Sequence, residues 1–237
     1  MSYSPEYFTA RESWRDWRTE ARELIRLARI TRGSRVLEIG CGGGGLLRML
    51  RERGAWVVGV DTLGVALILA WERFDAATLR RGDAEKSPAS SRPRVTVSSG
   101  TELTRISEDG SLPFRDNSFD AIIGQHVIEH IADAAAALRE WKRVLKPGGR
   151  LALATPNARY PDPTHFADPD HARIFSPAEL RDALARAGYV VETAATVFPY
   201  LTQTRILRGI GILAFKIFQR APYFSSRGRT ILVGARG

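Results

Sequence analysis

The chain has 237 residues, a formal net charge of +9 and a sequence pI of about 10.3. Its hydrophobic content of 44% is ordinary for a globular protein, and the length predicts a single domain over residues 1–237. The lone cysteine, Cys41, excludes an internal disulfide framework, and the sequence contains neither a recognisable signal peptide nor an apolar run of membrane-spanning length. We therefore expect a cytoplasmic protein.

The positive charge comes from scattered arginines, such as Arg15, Arg18 and Arg22, that are interspersed with glutamate and alanine. This helix-like spacing is typical of solvated helix faces, and net charge says little about fold. We therefore expect no nucleic-acid partner.

Hydrophobic periodicity predicts alternating helices and strands in the first half of the chain. In order, these are a helix over 5–31, a strand over 34–40, a helix over 45–54, a strand over 55–61 and a helix over 65–81. The first 32 residues are expected to form an N-terminal helical cap.

The second half continues the alternation. Strands are predicted over 95–100, 118–124, 150–157, 189–198 and 229–236, and helices over 133–149 and 176–188. Strands that alternate with helices predict an α/β, doubly wound, Rossmann-like sheet of seven mostly parallel strands with helices on both faces. Within it we expect a core over 33–195, an amphipathic helical insertion over 196–228 and a last strand over 229–237.

The turn after the first predicted strand has the pattern Gly40-x-Gly42-x-x-Gly45 and leads into a helix. Asp61 ends the next strand about 20 residues later, where an acidic residue accepts hydrogen bonds from a ribose. Glu38, two residues before the first glycine, would repel a pyrophosphate on the helix N-terminus. It would instead favour a cationic adenosine ligand, and S-adenosylmethionine carries both an ammonium and a sulfonium group.

With these residues in place, "VLEIGCGGG" resembles the first motif of the class I S-adenosylmethionine-dependent methyltransferases. "LPFRDNSFDAIIGQHVIEHIAD" and "LREWKRVLKPGGRLALATPN" are similar to motifs of the methyltransferase type 11 subgroup, which includes ubiquinone and menaquinone biosynthesis enzymes. The resemblance implies methyl transfer with S-adenosylmethionine as cofactor. The cofactor contacts that it implies are Glu38, Gly40, Cys41, Gly42, Asp61, Thr62 and Gln125.

The stretch from His126 to His130 spells H-x-x-E-H, which is also an inverted zinc-peptidase signature. The peptidase interpretation fails because that motif needs a long helix and a third ligand, whereas this stretch directly follows an apolar strand. We therefore expect no metal. In the family interpretation His126 faces the methyl group and acceptor, while Glu129 and His130 fix the start of the following segment.

The acceptor is expected to be a small-molecule or lipid-like compound whose nucleophile is oxygen, carbon or nitrogen. If proton transfer is needed, histidine is the usual base near neutral pH, so His171 and His126 are the catalytic candidates. Tyr160 and His165, in the same proline-rich segment as His171, are the candidate acceptor contacts.

Two questions stay open on the residues alone. Glu102 and Asp109 are alternative partners of the adenine amine, and Asp109 is the one included among the candidate cofactor contacts. Residues 204–220 have the pattern of a basic amphipathic helix that would contact a membrane, cap the acceptor pocket or pack on the domain. The positive net charge and the basic pattern of residues 204–220 also suggest an alternative function, that of an RNA- or membrane-binding module that retains the fold without catalysis.

Overall fold

The computed structural model describes residues 4–13, 15–78, 94–96, 100–107, 110–160, 169–199, 210 and 227–237. Asp109, His165 and, apart from Ile210, the segment 204–220 lie outside these residues. The expectations that concern them stay predictions.

Helices and strands alternate along the described chain. The strands are β1 Arg35–Ile39, β2 Trp56–Asp61, β3 Arg94–Thr96, β4 Thr101–Arg105, β5 Phe119–Gln125, β6 Leu145–Pro156, β7 Val190–Pro199 and β8 Gly228–Arg236. The helices are α1 Pro5–Ser13, α2 Arg15–Leu27, α3 Gly45–Arg51, α4 Gly64–Thr78, a short 3-10 helix Ile128–His130, α5 Ala134–Val144 and α6 Pro177–Arg186. Among the described residues, no helix combines the length and the apolar character needed to cross a membrane.

All the described strands join one sheet in the order β3-β4-β2-β1-β5-β6-β8-β7. Five adjacent strands of this sheet are parallel, namely β4, β2, β1, β5 and β6. Strand β8 runs antiparallel to its neighbours β6 and β7, and β3 runs antiparallel to β4. The predicted doubly wound, mostly parallel sheet is confirmed, and β4 is an eighth strand beyond the seven predicted. The strand order reverses beside β1, which is where ligands bind at the carboxyl ends of strands in such sheets.

Helices cover both faces of the sheet because buried side chains alternate along its strands. Val36 of β1 packs into the core beneath α2, α3 and α4, and Leu37 packs into the opposite core with α5 and α6. These two cores fix where the strands end, and therefore where the residues that follow them lie.

Two predicted elements differ from the structure. The helix predicted over 5–31 corresponds to α1 and α2, and residue 14 between them lies outside the described residues. The helix predicted over 133–149 ends at Val144, because Pro147 disfavours helical backbone before it and Leu145 is already extended. The predicted strand over 95–100 overlaps β3, and its residues 97–99 lie outside the described residues. The parallel position beside β2 is taken by β4, whose polar sequence "TELTR" did not indicate a strand.

Candidate active site

The turn between β1 and α3 is built from glycines in left-handed backbone conformation. Gly40 has a φ of 67° and Gly42 a φ of 50°, a region that glycine enters without a steric penalty. A Cβ added to Gly40 would lie 2.9 Å from Cγ2 of Val127, so there is no room for a larger residue. The backbone N–H groups of Gly40 and Cys41 both donate to the carbonyl of Val60, at 2.8 and 3.0 Å, and this fixes the turn on the end of β2.

Asp61, the last residue of β2, is only 8% exposed. Its Oδ2 accepts a hydrogen bond from the N–H of Gly42 and its Oδ1 accepts one from the N–H of Leu63, each at 2.9 Å. Burial raises the pKa of Asp61, and these backbone hydrogen bonds partly oppose that rise. The carboxylate therefore joins the glycine turn to the loop that contains Thr62.

Glu38, on β1 beneath the turn, is 3% exposed, and its Oε2 has no hydrogen-bond partner among the described residues. Burial raises its pKa well above the usual range, and the nearby carboxylates of Glu12 and Asp61 add to the rise. Burial, followed by the carboxylates of Asp61 and Glu38, also raises the pKa of the Cys41 thiol. This side of the site is therefore a desolvated group of acids, an environment that favours a cationic ligand.

Helix α1 packs on the glycine turn, a contact that the motifs did not predict. Nη1 of Arg73, on α4, lies 2.6 Å from a carboxylate oxygen of Glu12 and 2.8 Å from the carbonyl of Gly43. Nη2 of Arg73 donates to Oγ1 of Thr9 at 3.1 Å. A single guanidinium thus joins α1, α4 and the turn.

A second group of polar residues lies where β5 and β6 end. Its members, called the His126 cluster here, are Glu20, Gln125, His126, Glu129 and Thr155. Oε1 of Glu20 accepts from Nε2 of Gln125 at 2.8 Å and lies 2.9 Å from Nε2 of His126. Nδ1 of His126 lies 3.3 Å from Oε1 of Glu129, and Thr155 donates to Oε2 of Glu129 at 3.0 Å. The cluster connects α2 to the ends of both strands.

The two carboxylates determine the charge of His126. Burial by itself would lower the pKa of His126, but Glu20 and Glu129 raise it to about 9. Burial would raise the pKa values of Glu20 and Glu129, but the imidazolium lowers both. His126 is therefore held between two acids, with Nε2 close to Glu20 and Nδ1 in a longer ion pair with Glu129, and its candidate catalytic role stays a prediction.

Of the remaining candidates, His171 and Tyr160 lie at the same carboxyl edge and Glu102 does not. His171 lies beside the 3-10 helix, with its ring centroid 4.7 Å from that of His130. Tyr160 follows β6 with its side chain partly exposed, and its N–H donates to the carbonyl of Asn157 at 3.1 Å. Glu102 lies within β4 opposite Val58 rather than at the strand's carboxyl end.

Sequence reasoning missed Glu12 and Glu20, which reach the site from α1 and α2. Glu20 lies 105 residues before Gln125, its hydrogen-bond partner, so no local spacing could reveal the contact. The one available signal was a glutamate within an amphipathic helix, where a solvated residue is the ordinary expectation.

The fold and this edge define a doubly wound α/β protein in which a glycine turn lies beside two buried acids at the carboxyl ends of the strands. The chain matches a family model described as "Methyltransferase domain" over residues 10–194. Because this match covers most of the chain, the protein belongs to that methyltransferase family, as the resemblance predicted.

Two named methyltransferases are similar to this chain in sequence. A probable S-adenosylmethionine-dependent methyltransferase of Mycolicibacterium smegmatis is 33% identical over 175 residues, which cover 73% of this chain and 58% of that protein. A ubiquinone biosynthesis O-methyltransferase of Aeromonas salmonicida is 30% identical over 186 residues, which cover 70% of this chain and 66% of that protein. The chain thus spans less than two thirds of the length of either relative.

Among solved structures, a SAM-dependent methyltransferase from Aquifex aeolicus superposes with a TM-score of 0.64, with 98% of each chain covered. The sequence identity is 18%, so this likeness concerns the fold. Together, the family and these names indicate S-adenosylmethionine as the cofactor.

Proposed function

We propose that this chain transfers a methyl group from S-adenosylmethionine to an oxygen of a small, lipid-like aromatic acceptor. The observation that carries the proposal is Oε2 of Glu38, a buried carboxylate oxygen without a hydrogen-bond partner beside the glycine turn. Leaving such an atom unpaired is costly, and a cationic ligand removes the cost. The ammonium and sulfonium groups of the methyl donor match this requirement.

Different residues around the turn are assigned to different parts of this cofactor. Asp61 is placed to accept from the ribose hydroxyls, because its carboxylate is already oriented by two backbone N–H groups. The backbone of Gly40, Cys41 and Gly42 allows close approach of the ligand, and Thr62 follows Asp61 into the same loop. Gln125, oriented by Glu20, is assigned to the methionine portion.

S-adenosylmethionine supplies a methyl carbon that positive sulfur has already activated. The chain has to hold the acceptor oxygen in line with the sulfur–methyl bond and exclude water, which accounts for much of the acceleration in such displacements. The His126 cluster supports this positioning because Glu20 and Glu129 hold the imidazole from two sides. Tyr160 offers an aromatic surface for an apolar acceptor.

The named O-methyltransferase relative supports an oxygen acceptor. The alternative, a binding module without catalysis, is not favoured because the family match includes the glycine turn and both acids. Membrane contact through 204–220 stays a prediction that liposome flotation would test.

Calorimetry and an acceptor screen test the proposal. S-adenosylhomocysteine should bind the native chain, Asp61→Ala should weaken this binding, and Asp116→Ala, at an exposed salt bridge, should not. A thermal-shift screen of hydroxylated aromatic compounds with S-adenosylhomocysteine present selects acceptors for methyl-transfer assays and product analysis. Methylation at carbon or nitrogen, or tight NADH binding without S-adenosylmethionine binding, would contradict the proposal.

A further inference from the structure

Three side chains with metal-binding atoms converge beside the His126 cluster. One ligand atom each from Glu129, His130 and His171 lies within 4.8 Å of the other two. Glu129 and His130 belong to the 3-10 helix after β5, and His171 arrives from the segment that precedes α6. Two imidazoles and one carboxylate form a donor set that binds divalent transition metals and leaves positions open for a ligand.

The surroundings of His130 and Glu129 orient them as such ligands. Nδ1 of His130 lies 3.0 Å from the backbone carbonyl of Asp170, which can only accept, so Nδ1 carries the proton and Nε2 presents its lone pair. Thr155 donates to Oε2 of Glu129. Metal-bound histidines and carboxylates are commonly held by carbonyl and hydroxyl partners of this kind.

Oε1 of Glu129 is an independent observation. It is a buried carboxylate oxygen that makes no hydrogen bond among the described residues, although Nδ1 of His126 lies 3.3 Å away. A buried carboxylate oxygen without a good partner is costly, and a metal ion at the convergence of the three side chains would satisfy it.

We infer that Glu129, His130 and His171 bind one divalent transition-metal ion. The ion would be of the Zn²⁺, Co²⁺ or Mn²⁺ type rather than Mg²⁺, because magnesium prefers a set of oxygen ligands. This inference replaces the expectation of no metal. It also differs from the peptidase pattern, because His126 is held by Glu20 and Glu129, and its place in the ligand set is taken by His171.

The role of the ion rests on the proposed function. An acceptor hydroxyl bound at an open position would lose its proton to solvent more readily, because a bound cation lowers the pKa of an oxygen ligand. The resulting oxyanion forms the new oxygen–carbon bond as the carbon–sulfur bond breaks, and S-adenosylhomocysteine leaves. Glu129, His130 and His171 thereby also hold the nucleophile at the strand ends, beside the proposed methyl donor.

Cobalt binding tests the site without an acceptor. After chelator treatment and its removal, the full chain is titrated with Co²⁺ and followed by visible absorption and equilibrium dialysis. We expect about one ion per chain at micromolar concentration, and at least tenfold weaker binding by His171→Ala and Glu129→Gln. Glu52→Gln, which changes an exposed glutamate on the far side of α3, is the matched control and should bind as the native chain does.

Calorimetry with S-adenosylhomocysteine separates a lost ligand from a lost fold, because His171→Ala should retain cofactor binding. Uptake of no Co²⁺ by the native chain, or equal uptake by His171→Ala, overturns the inference even if the cofactor binds. Cobalt binding that depends on His171 supports it even if no hydroxylated acceptor is methylated, and that failure would count against the proposed acceptor alone.

Discussion

The active-site edge contains two pairs of buried acids whose surroundings are opposite. Glu38 and Asp61, beside the glycine turn, have raised pKa values and no cationic side chain against them among the described residues. Glu20 and Glu129, at the ends of β5 and β6, have lowered pKa values because His126 lies between them. Burial is nearly complete in both pairs, so the difference comes from the partner.

This difference indicates two roles for the acids: those at the turn are suited to bind a ligand, and those of the His126 cluster are suited to hold side chains in place. Glu38 is desolvated with no hydrogen bond to its Oε2, and backbone N–H groups compensate Asp61 only in part, which favours a ligand that carries positive charge. The acids of the His126 cluster are compensated within the protein, so they stabilise a fixed arrangement of side chains. Three substitutions and one change of pH test the two sides of this edge. They are described from the largest expected effect on stability to the smallest.

Glu20→Gln should cause the largest loss of stability, about 3 kcal/mol, because it removes one partner of a buried ion pair. Urea denaturation followed by circular dichroism measures the change. Glu23→Gln is the control on the same helix, since Glu23 pairs with Arg26 at the surface and should change stability by less than about 0.5 kcal/mol. Equal effects of the two substitutions would mean that the His126 cluster contributes little.

Glu38→Gln should have the opposite effect in the ligand-free protein. Replacing a desolvated carboxylate with a neutral amide should raise stability, on the order of 1 kcal/mol. The same substitution should weaken S-adenosylmethionine binding at least tenfold, because the ligand loses its anionic partner. Thermal unfolding and calorimetry measure both quantities on one preparation, and a variant that is less stable yet binds normally would contradict this account of Glu38.

The raised pKa of Glu38 also predicts how cofactor binding depends on pH. The folded, ligand-free protein favours protonated Glu38, so the stability from this group is present at low pH and lost as the pH rises through the raised pKa. A cationic cofactor favours the ionised form, so its affinity should increase over that same pH range and its binding should release a proton. Calorimetry in buffers of different ionisation enthalpy detects the proton, and in Glu38→Gln the release should disappear.

Arg73→Ala should have the smallest effect, below about 1 kcal/mol, because Arg73 and Glu12 are partly exposed. The effect should be local, with faster amide hydrogen exchange in α1 than in the native chain and little change in β1 or β5. Arg48→Ala, which removes a long surface pair with Glu52, is the matched control. Unchanged exchange in α1 would show that Arg73 does not hold this helix.

The sequence predicted what local spacing encodes. The glycine turn lies between a strand and a helix, with Glu38 before it and Asp61 at the next strand end, because these residues are close in the chain and the pattern is tied to one geometry. Helix α6 likewise begins where it was predicted, and the structure shows the capping pair Ser176 and Glu179 at its start. Strand β4 was missed because its alternating threonines and charged residues resemble a loop.

What could not be predicted depends on contacts between distant segments. Glu20 reaches His126 across the sheet, and His171 reaches His130 across the segment after β6. The pattern H-x-x-E-H contains His126, Glu129 and His130, but it could not show which distant residues these side chains face. Only the packing of α2 and of the chain before α6 determines that.

The backbone conformation of His126 determines which N-terminal residues a truncated chain must contain to keep the His126 cluster intact. Its φ of 55° is unfavourable for a residue with a side chain, and Glu20 is one of the contacts that hold it there. A fragment starting at residue 33 would retain the glycine turn and every family motif, yet it would lack the carboxylate that both Gln125 and His126 bind. The smallest fragment with an intact His126 cluster must therefore include α2, a boundary set by electrostatics rather than by the positions of the sequence motifs.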